Sequence, residues 1–313
     1  MGPDKSSRDI ANLVWFPAPH CRLREIRSSG SISSVILSRP TFAAALGALL
    51  ACLPASAQEG EKPEIPADLL EDAHVREELA INEFTAPSIA KIFESLEALA
   101  PLPILKFQRE TPANTPLDRA DLAVELGFLI ADGFLVVQAG ELGKVEKLAA
   151  DLTRYGKALG AGERVNRHAA SLLESARKQD VAQLKKELSA TQKDVELELV
   201  ALRDADLAHL ISMGGWIHAL QVSSSAVETQ FSEERAKHVM REDIADYYSA
   251  VVGGLNPRIS ERPTYLEMRD LFAGLRTEMT LEEGQKVTQS KVAEISKQAA
   301  KLADLALKRE EAP

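Results

Sequence analysis

Cysteine is nearly absent from this chain of 313 residues, which contains only Cys21 and Cys52. Both lie within the first 57 residues, a segment with the features of a removable leader, so the remaining 256 residues contain none. A chain without cysteine has no disulfide framework, no cysteine-ligated zinc or iron–sulfur site and no cysteine nucleophile. These classes of protein are therefore excluded for the mature chain.

Proline and strand-like patterns are absent from the middle of the chain. No proline occurs between Pro116 and Pro257, and this stretch lacks the alternation of apolar and polar residues that is typical of strands. Alanine, leucine and charged residues dominate the chain after the leader, and this composition favours helices. We predict an all-α protein, an irregular multi-helix bundle of about nine helices that forms a single domain over residues 58–313.

Basic residues are outnumbered by acidic ones. After residue 57 the chain has 31 basic and 44 acidic residues, which gives a net charge of about −13. An acidic surface repels phosphate backbones, so we expect no nucleic-acid partner. The nucleophile elbow, the phosphate-binding loop, the zinc-protease helix and the dinucleotide fingerprint are all missing. The sequence thus indicates no catalytic residues, no metal site and no cofactor, which favours a non-catalytic protein and leaves an enzyme as the alternative.

Long apolar runs are limited to residues 41–53, thirteen apolar or small residues that follow Arg39. This run is shorter than the ~20 residues of a transmembrane helix, so we expect no transmembrane span. An Ala-Ser-Ala sequence ends at Ala57, and the whole pattern is typical of a secretory signal peptide. We predict a signal peptide over residues 35–57 that is cleaved after Ala57, and a periplasmic or secreted protein. Residues 1–34 are interpreted as a non-native or disordered extension.

Leu49-Leu50-Ala51-Cys52 offers a second processing site, because it resembles a lipobox. Processing there would leave a diacylated Cys52 that tethers the protein to a membrane. The cleaner Ala-Ser-Ala site favours release of a protein that begins at Gln58.

The most unusual predicted helix covers residues 116–139 and opens at Thr115-Pro116. It is apolar on nearly every side from Leu122 to Val137, so we expect it to be central and to pack near a helix over residues 205–228. The other predicted helices cover residues 66–81, 85–99 (capped by Thr85, with Pro87 in its first turn), 141–159, 162–178, 180–202, 232–252 and 263–279, and a terminal helix opens at a Thr280–Glu283 capping box.

Glu125 and Asp132 lie seven residues apart on the central helix, so they project the same way, and Asp118 and Asp121 extend this acidic stripe. A buried carboxylate is unfavourable unless it is paired or hydrogen-bonded. The functional interpretation is a metal ligand or a general acid or base. A structural ion pair or a helix cap is the favoured interpretation.

Two adjacent glycines, Gly214 and Gly215, interrupt the helix over residues 205–228, where each costs about 1 kcal/mol relative to alanine. Close packing of another helix would compensate, with Gly127 or Gly133 as the partner. The alternative is a ligand pocket beside Trp216 and His218. The candidate ligand-binding residues are therefore Glu125, Asp132, Gly214, Gly215, Trp216 and His218.

The remaining histidine patterns are weak. Glu234, His238 and Glu242 recur at intervals of four residues, which predicts one helical face, and the interleaved basic residues make it a solvated ion-paired face. His209 and His218 are nine residues apart, so we expect them to point to opposite sides of their helix.

Two stretches of the sequence resemble an uncharacterised family of all-helical secreted proteins and lipoproteins of Gram-negative bacteria. They are Leu126-Gly127-Phe128-Leu129-Ile130-Ala131-Asp132 and Gly214-Gly215-Trp216-Ile217. The resemblance covers roughly residues 84–228. It implies a helical topology and a location in the cell envelope, and it implies no activity.

The leading hypothesis is a secreted, non-catalytic binding or structural component of the cell envelope, whose partner is an envelope protein or a small ligand. The alternative is a helical bundle that binds a metal or a small ligand, or an enzyme, with Glu125, Asp132 and His218 at its site.

Overall fold

The computed structural model describes residues 87–309, of which 77% are helical and none lies in a strand. The all-α prediction is confirmed for this part of the chain. The twelve helices, in chain order, are α1 (Ile89–Leu96), α2 (Ile104–Phe107), α3 (Arg119–Gln138), α4 (Val145–Leu159), α5 (Gly162–Arg177), α6 (Val181–Ala201), α7 (Ala205–Thr229), α8 (Glu233–Ala236), α9 (Glu242–Gly254), α10 (Pro257–Ser260), α11 (Pro263–Met279) and α12 (Gln289–Ala306).

Helix α3 is the centre of the bundle, as its apolar composition predicts. Seventeen of its 20 residues are buried, and its most extensive contact is with α7. It begins at Arg119 rather than at Pro116, because the Asp118 carboxylate accepts hydrogen bonds from the backbone N–H groups of Ala120 and Asp121. The predicted pairing of the central helix with the helix that contains Gly214 is confirmed.

The other helices form two groups around this pair. Helices α4, α5 and α6 pack in sequence order on one another, with α4 also against α3 and α6 also against α7. Helices α9, α11 and α12 pack in the same successive way, and α12 also lies along α7. In α12 the apolar residues that recur at heptad-like spacing are all buried: Val292, Ile295, Ala299, Leu302 and Ala306.

Helix α1 begins later than the sequence predicts. Ser88 is its cap and accepts a hydrogen bond from the backbone N–H of Lys91, whereas Pro87 precedes the helix. The carbonyl of Pro87 accepts hydrogen bonds from Gln192 of α6 and Ser212 of α7. These tertiary contacts fix the point at which the helix starts.

Two further helix boundaries were predicted wrongly. The segment predicted as one helix over residues 232–252 is broken, because α8 ends at Ala236 and the next backbone hydrogen bonds span only three residues until α9 begins at Glu242. The capping box at Thr280 and Glu283 does not open α12. Thr288 caps that helix instead, and the Thr280 hydroxyl donates back to the carbonyl of Arg276 at the end of α11.

None of the helices in residues 87–309 combines the length and the apolar character that a membrane crossing requires. The predicted signal peptide over residues 35–57, Cys52, the predicted cleavage site after Ala57 and the predicted helix over residues 66–81 lie outside the described residues.

Candidate functional site

Asp132 and His218, two of the predicted site residues, are in direct contact. Nε2 of His218 lies 2.8 Å from Oδ1 of Asp132, and Nη2 of Arg109 donates to Oδ2 at 2.7 Å. The His218 side chain is fully buried, whereas 16% of the Asp132 side chain is exposed. The guanidinium of Arg109 also lies over the ring of Phe128, 4.7 Å from its centroid. Asp132 is therefore enclosed by one cation and one imidazole.

This environment decides the protonation of Asp132. Burial alone would raise its pKa, but the attraction and hydrogen bonds of His218 and Arg109 outweigh burial and hold the pKa below the ordinary aspartate value. Asp132 is thus an ionised carboxylate that accepts hydrogen bonds from both neighbours.

Glu125 belongs to a different cluster. Its carboxylate accepts a hydrogen bond of 2.5 Å from the hydroxyl of Tyr155. It also accepts two hydrogen bonds from the guanidinium of Arg309, at 2.8 and 2.9 Å. Burial and the hydrogen bond to Glu125 raise the pKa of the Tyr155 phenol. The structure therefore separates Glu125 from the pair of Asp132 and His218, and the three residues do not form one site.

The N-terminal part of the acidic stripe is also paired internally. Asp118 caps α3, and together with Asp121 it accepts hydrogen bonds from Arg262 at 3.0 and 2.8 Å. Each of the four carboxylates in the stripe thus has a basic partner, and Asp118 and Asp121 share Arg262. This geometry favours the interpretation of the stripe as ion pairs and a cap.

The two glycines of α7 lie at helix contacts rather than beside an open pocket. A Cβ on Gly214 would lie within 3.0 Å of the carbonyl oxygen of Val124, and one on Gly127 would clash in the same way with the carbonyl of Ile211. Gly127 is therefore the residue of α3 that packs against the two adjacent glycines of α7. Gly133 is not, because it faces side chains of Leu148 and Leu188.

Gly215 and Trp216 face other neighbours. A Cβ on Gly215 would meet the side chain of Ile89 at the start of α1. Trp216 is 3% exposed and packs against the rings of Tyr248 and Phe272, with centroid separations of 5.3 and 5.8 Å. Both residues therefore belong to the packed interior.

The histidine pattern at residues 234–242 does not form the predicted face, because the helix that would align it ends at Ala236. Glu234 forms an exposed ion pair with Lys237, as the surface interpretation expects. Within residues 87–309, no three histidine or acidic side chains converge as a metal site would require. His209 contacts Tyr247 and His218 contacts Asp132, so the two histidines are separate, as predicted.

A groove that was not predicted from the sequence lies between α1 and α6, with α3 beneath it. The groove has a volume of about 540 Å³ and is bordered by four lysines, Lys91, Lys185, Lys186 and Lys193, and by two acidic residues, Glu94 and Glu97. We call it the lysine groove. Phe93 and Phe134 stack beneath it with their ring centroids 5.5 Å apart.

A signal for this groove was present in the sequence of α6. Ala182, Lys185, Lys186, Ser189 and Lys193 recur at helical spacing, so they share one face. The pattern predicts a basic stripe on the helix, but only the tertiary fold decides that α1 lies across it and turns it into a groove.

No known protein family matches the chain, and neither a curated protein nor a solved structure has detectable similarity to it.

Proposed function

We propose that the protein is exported from the cytoplasm and acts in the cell envelope as a non-catalytic binding protein, with its ligand in the lysine groove. Export is supported by the sequence before residue 58, where an apolar run precedes an Ala-Ser-Ala site. It is also supported by the resemblance of the stretches that contain Gly127 and Gly214 to secreted helical proteins.

The non-catalytic part of the proposal rests on the state of Asp132. A general base is most effective when its pKa lies near the working pH. The pKa of Asp132 is instead lowered, and both of its oxygens are engaged by Arg109 and His218. Glu125 is engaged in the same manner by Tyr155 and Arg309. Asp132 is therefore poorly suited to accept a proton from a substrate, and the oxygens of Glu125 already have partners within the protein.

The observation that carries the binding part is the lysine groove. Its volume of about 540 Å³ lies within the range of small-molecule sites, roughly 300–1,000 Å³. Two of its lysines, Lys186 and Lys193, are exposed and form no ion pair with the described residues. A ligand there would have charged groups to bind without breaking an internal ion pair.

Export is tested by expressing the untagged full chain in a Gram-negative host and measuring the intact mass of the protein in the periplasmic fraction. We expect a chain that begins at Gln58 and carries no lipid. A diacylglyceryl mass on Cys52 would place the protein on a membrane instead, and protein confined to the cytoplasm would overturn export.

Binding is tested by native mass spectrometry of the exported protein, compared with a Lys186→Glu/Lys193→Glu variant purified in parallel. We expect a small molecule that stays bound to the unaltered protein, leaves it on denaturation and is absent from the variant. Exported protein that always shows the mass of the bare chain would contradict a small-ligand function. A bound molecule that the variant retains equally would remove the ligand from the groove.

A further inference from the structure

We propose that the lysine groove binds a small anion with at least two negatively charged groups, either carboxylates or phosphates. This inference rests on the proposed binding function and adds the chemical class of the ligand. It follows from the charges, the shape and the spacing of the groove.

The charge balance of the groove is the opposite of that of the whole protein. Four lysines and two glutamates border it, which leaves a local excess of two positive charges in a chain whose net charge is −10. Converging positive charges concentrate anions locally, and low-dielectric walls strengthen the effect. An anion is therefore attracted to this groove, although the chain as a whole has a net negative charge.

The lysines fall into two classes. Lys91 pairs with Glu94 at 3.0 Å along α1, and Lys185 reaches across from α6 to Glu97. Lys186 and Lys193 form no ion pair with any described residue. The first two therefore have their charge balanced within the protein, whereas the other two are available to an anion.

The spacing of the two available lysines sets the form of the ligand. Lys186 and Lys193 are seven residues apart on one face of α6, which is two turns or about 10 Å along the helix axis. A single compact anion such as acetate contacts only one of them closely. A molecule that contacts both needs a second anionic group, and each lysine then makes a charge-assisted hydrogen bond.

The floor of the groove is closed. Phe93 and Phe134 are stacked with nearly parallel rings, and their exposed fractions are only 1% and 2%. A ligand therefore rests between the lysine stems of α6 and the short side chain of Ala90 rather than entering the core. This arrangement suits a compact polar molecule better than a long acyl chain.

The inference is tested by isothermal titration calorimetry of the mature protein at low ionic strength, with citrate, pyrophosphate and acetate as probes. We expect citrate, pyrophosphate or both to bind at one site, and acetate to bind at least tenfold more weakly. Binding of citrate alone or pyrophosphate alone supports the proposal and distinguishes carboxylate from phosphate recognition.

Matched charge reversals locate the site. Lys186→Glu and Lys193→Glu should each weaken binding about tenfold or more through loss of a charge-assisted hydrogen bond. Lys157→Glu changes the net charge equally at an exposed residue on α4 and should leave binding unchanged. Circular dichroism of each variant shows whether the fold is retained.

Three results would overturn the inference: absence of binding for both multivalent probes, equal binding of acetate, or equal weakening by Lys157→Glu. If native mass spectrometry nevertheless finds a neutral molecule in the groove, the proposed binding function stands and only the anion class fails.

Discussion

At the scale of single residues, Gly127 and Gly214 bring the backbones of α3 and α7 into contact. Each would place a Cβ within 3.0 Å of a carbonyl oxygen of the other helix, and a backbone carbonyl has no rotamer with which to move away. The contact therefore depends on the absence of both side chains.

We predict that Gly127→Ala and Gly214→Ala each lower the free energy of unfolding by about 1–3 kcal/mol, since an added methyl must separate the helices. This loss exceeds the gain in helix propensity, which is at most about 1 kcal/mol. Urea unfolding measures the change. Gly253→Ala is the control, because a Cβ at that exposed helical position has open space, and it should be neutral or slightly stabilising.

Gly215→Ala should destabilise less than Gly214→Ala, because its added methyl meets the side chain of Ile89, which can change rotamer. Trp216 reports on the same region. Since it is 3% exposed and is the sole tryptophan after residue 57, a protein that begins at Gln58 should show blue-shifted emission. Red-shifted emission together with stabilising substitutions at both glycines would place this turn at the surface.

Asp132→Ala should lower the free energy of unfolding by about 3 kcal/mol, near the lower end of the range for a broken buried ion pair. The substitution leaves the buried His218 and the half-buried Arg109 without their shared carboxylate. Chemical denaturation measures the loss. Glu174→Ala removes one partner of an exposed ion pair with Lys178 and should leave stability nearly unchanged. An equally small effect at Asp132 would show that this carboxylate is not structural.

The lowered pKa of Asp132 predicts a dependence of stability on pH. Because the folded pKa lies below the unfolded value of about 3.9, the unfolded chain takes up this proton first. The contribution is therefore present above about pH 4 and is lost as the pH falls through the folded pKa. The free energy of unfolding of the Asp132→Asn variant should fall less steeply with decreasing pH. Its difference from the free energy of unfolding of the unaltered protein should therefore narrow below about pH 4. A difference that stays constant with pH would contradict a lowered pKa of Asp132 in the folded protein.

At the scale of elements, Arg309 ties the chain that follows α12 to the central helix. It forms an ion pair with Glu125, whose side chain has an exposed fraction of only 7%. Tyr155 of α4 donates to the same carboxylate. One buried glutamate thus joins three separate segments of the chain.

We predict that Arg309→Ala lowers the free energy of unfolding by about 1–3 kcal/mol, because Glu125 loses a charged partner while it remains buried. Lys308→Ala, at the exposed neighbouring position, should have little effect. A double-mutant cycle with Glu125→Gln isolates the coupling, since Arg309→Ala should matter less when the carboxylate is already an amide. Equal effects of Arg309→Ala in both backgrounds would indicate that the ion pair contributes nothing.

At the scale of the whole molecule, the described helices share one hydrophobic core. The cluster of contacting buried side chains includes residues of α1, of the central α3 and of α12. A single core favours a single cooperative transition.

We therefore expect Trp216 fluorescence and far-UV circular dichroism to give coincident unfolding curves. Fluorescence reports on the neighbourhood of α7, α9 and α11, whereas dichroism reports on all helices. Separate midpoints would indicate that part of the bundle unfolds independently.

The elements that could be predicted from the sequence are those with a strong local pattern. The apolar length of α3 indicates burial, and Pro263 and the periodicity after it predict α11 with its observed bounds. Boundaries were wrong where a tertiary contact competes with a local signal. Thr280 and Glu283 form a plausible capping box, but the hydroxyl of Thr280 is used at the end of α11, and Thr288 caps α12.

For the candidate site, too, local patterns predict one part and tertiary contacts decide the other. That Asp132 and Glu125 need partners follows from their place on an apolar helix, because an unpaired buried charge is unstable. Which partners they have does not follow, since Asp132 meets His218 from 86 residues away and Glu125 meets Arg309 from 184 residues away. Such pairings depend on how each helix is rotated and where it docks.

By itself, the sequence determined the helical class, the acidic charge, the confinement of both cysteines to the first 57 residues and the central place of α3. These depend on composition and on periods of a few residues, which local physical chemistry controls. Only the tertiary structure decided that Gly127 lies against α7, that Asp132 and Glu125 belong to different clusters, and that the basic stripe of α6 borders a groove. Each of these depends on contacts between residues far apart in the chain, and the packing of the whole core selects among them.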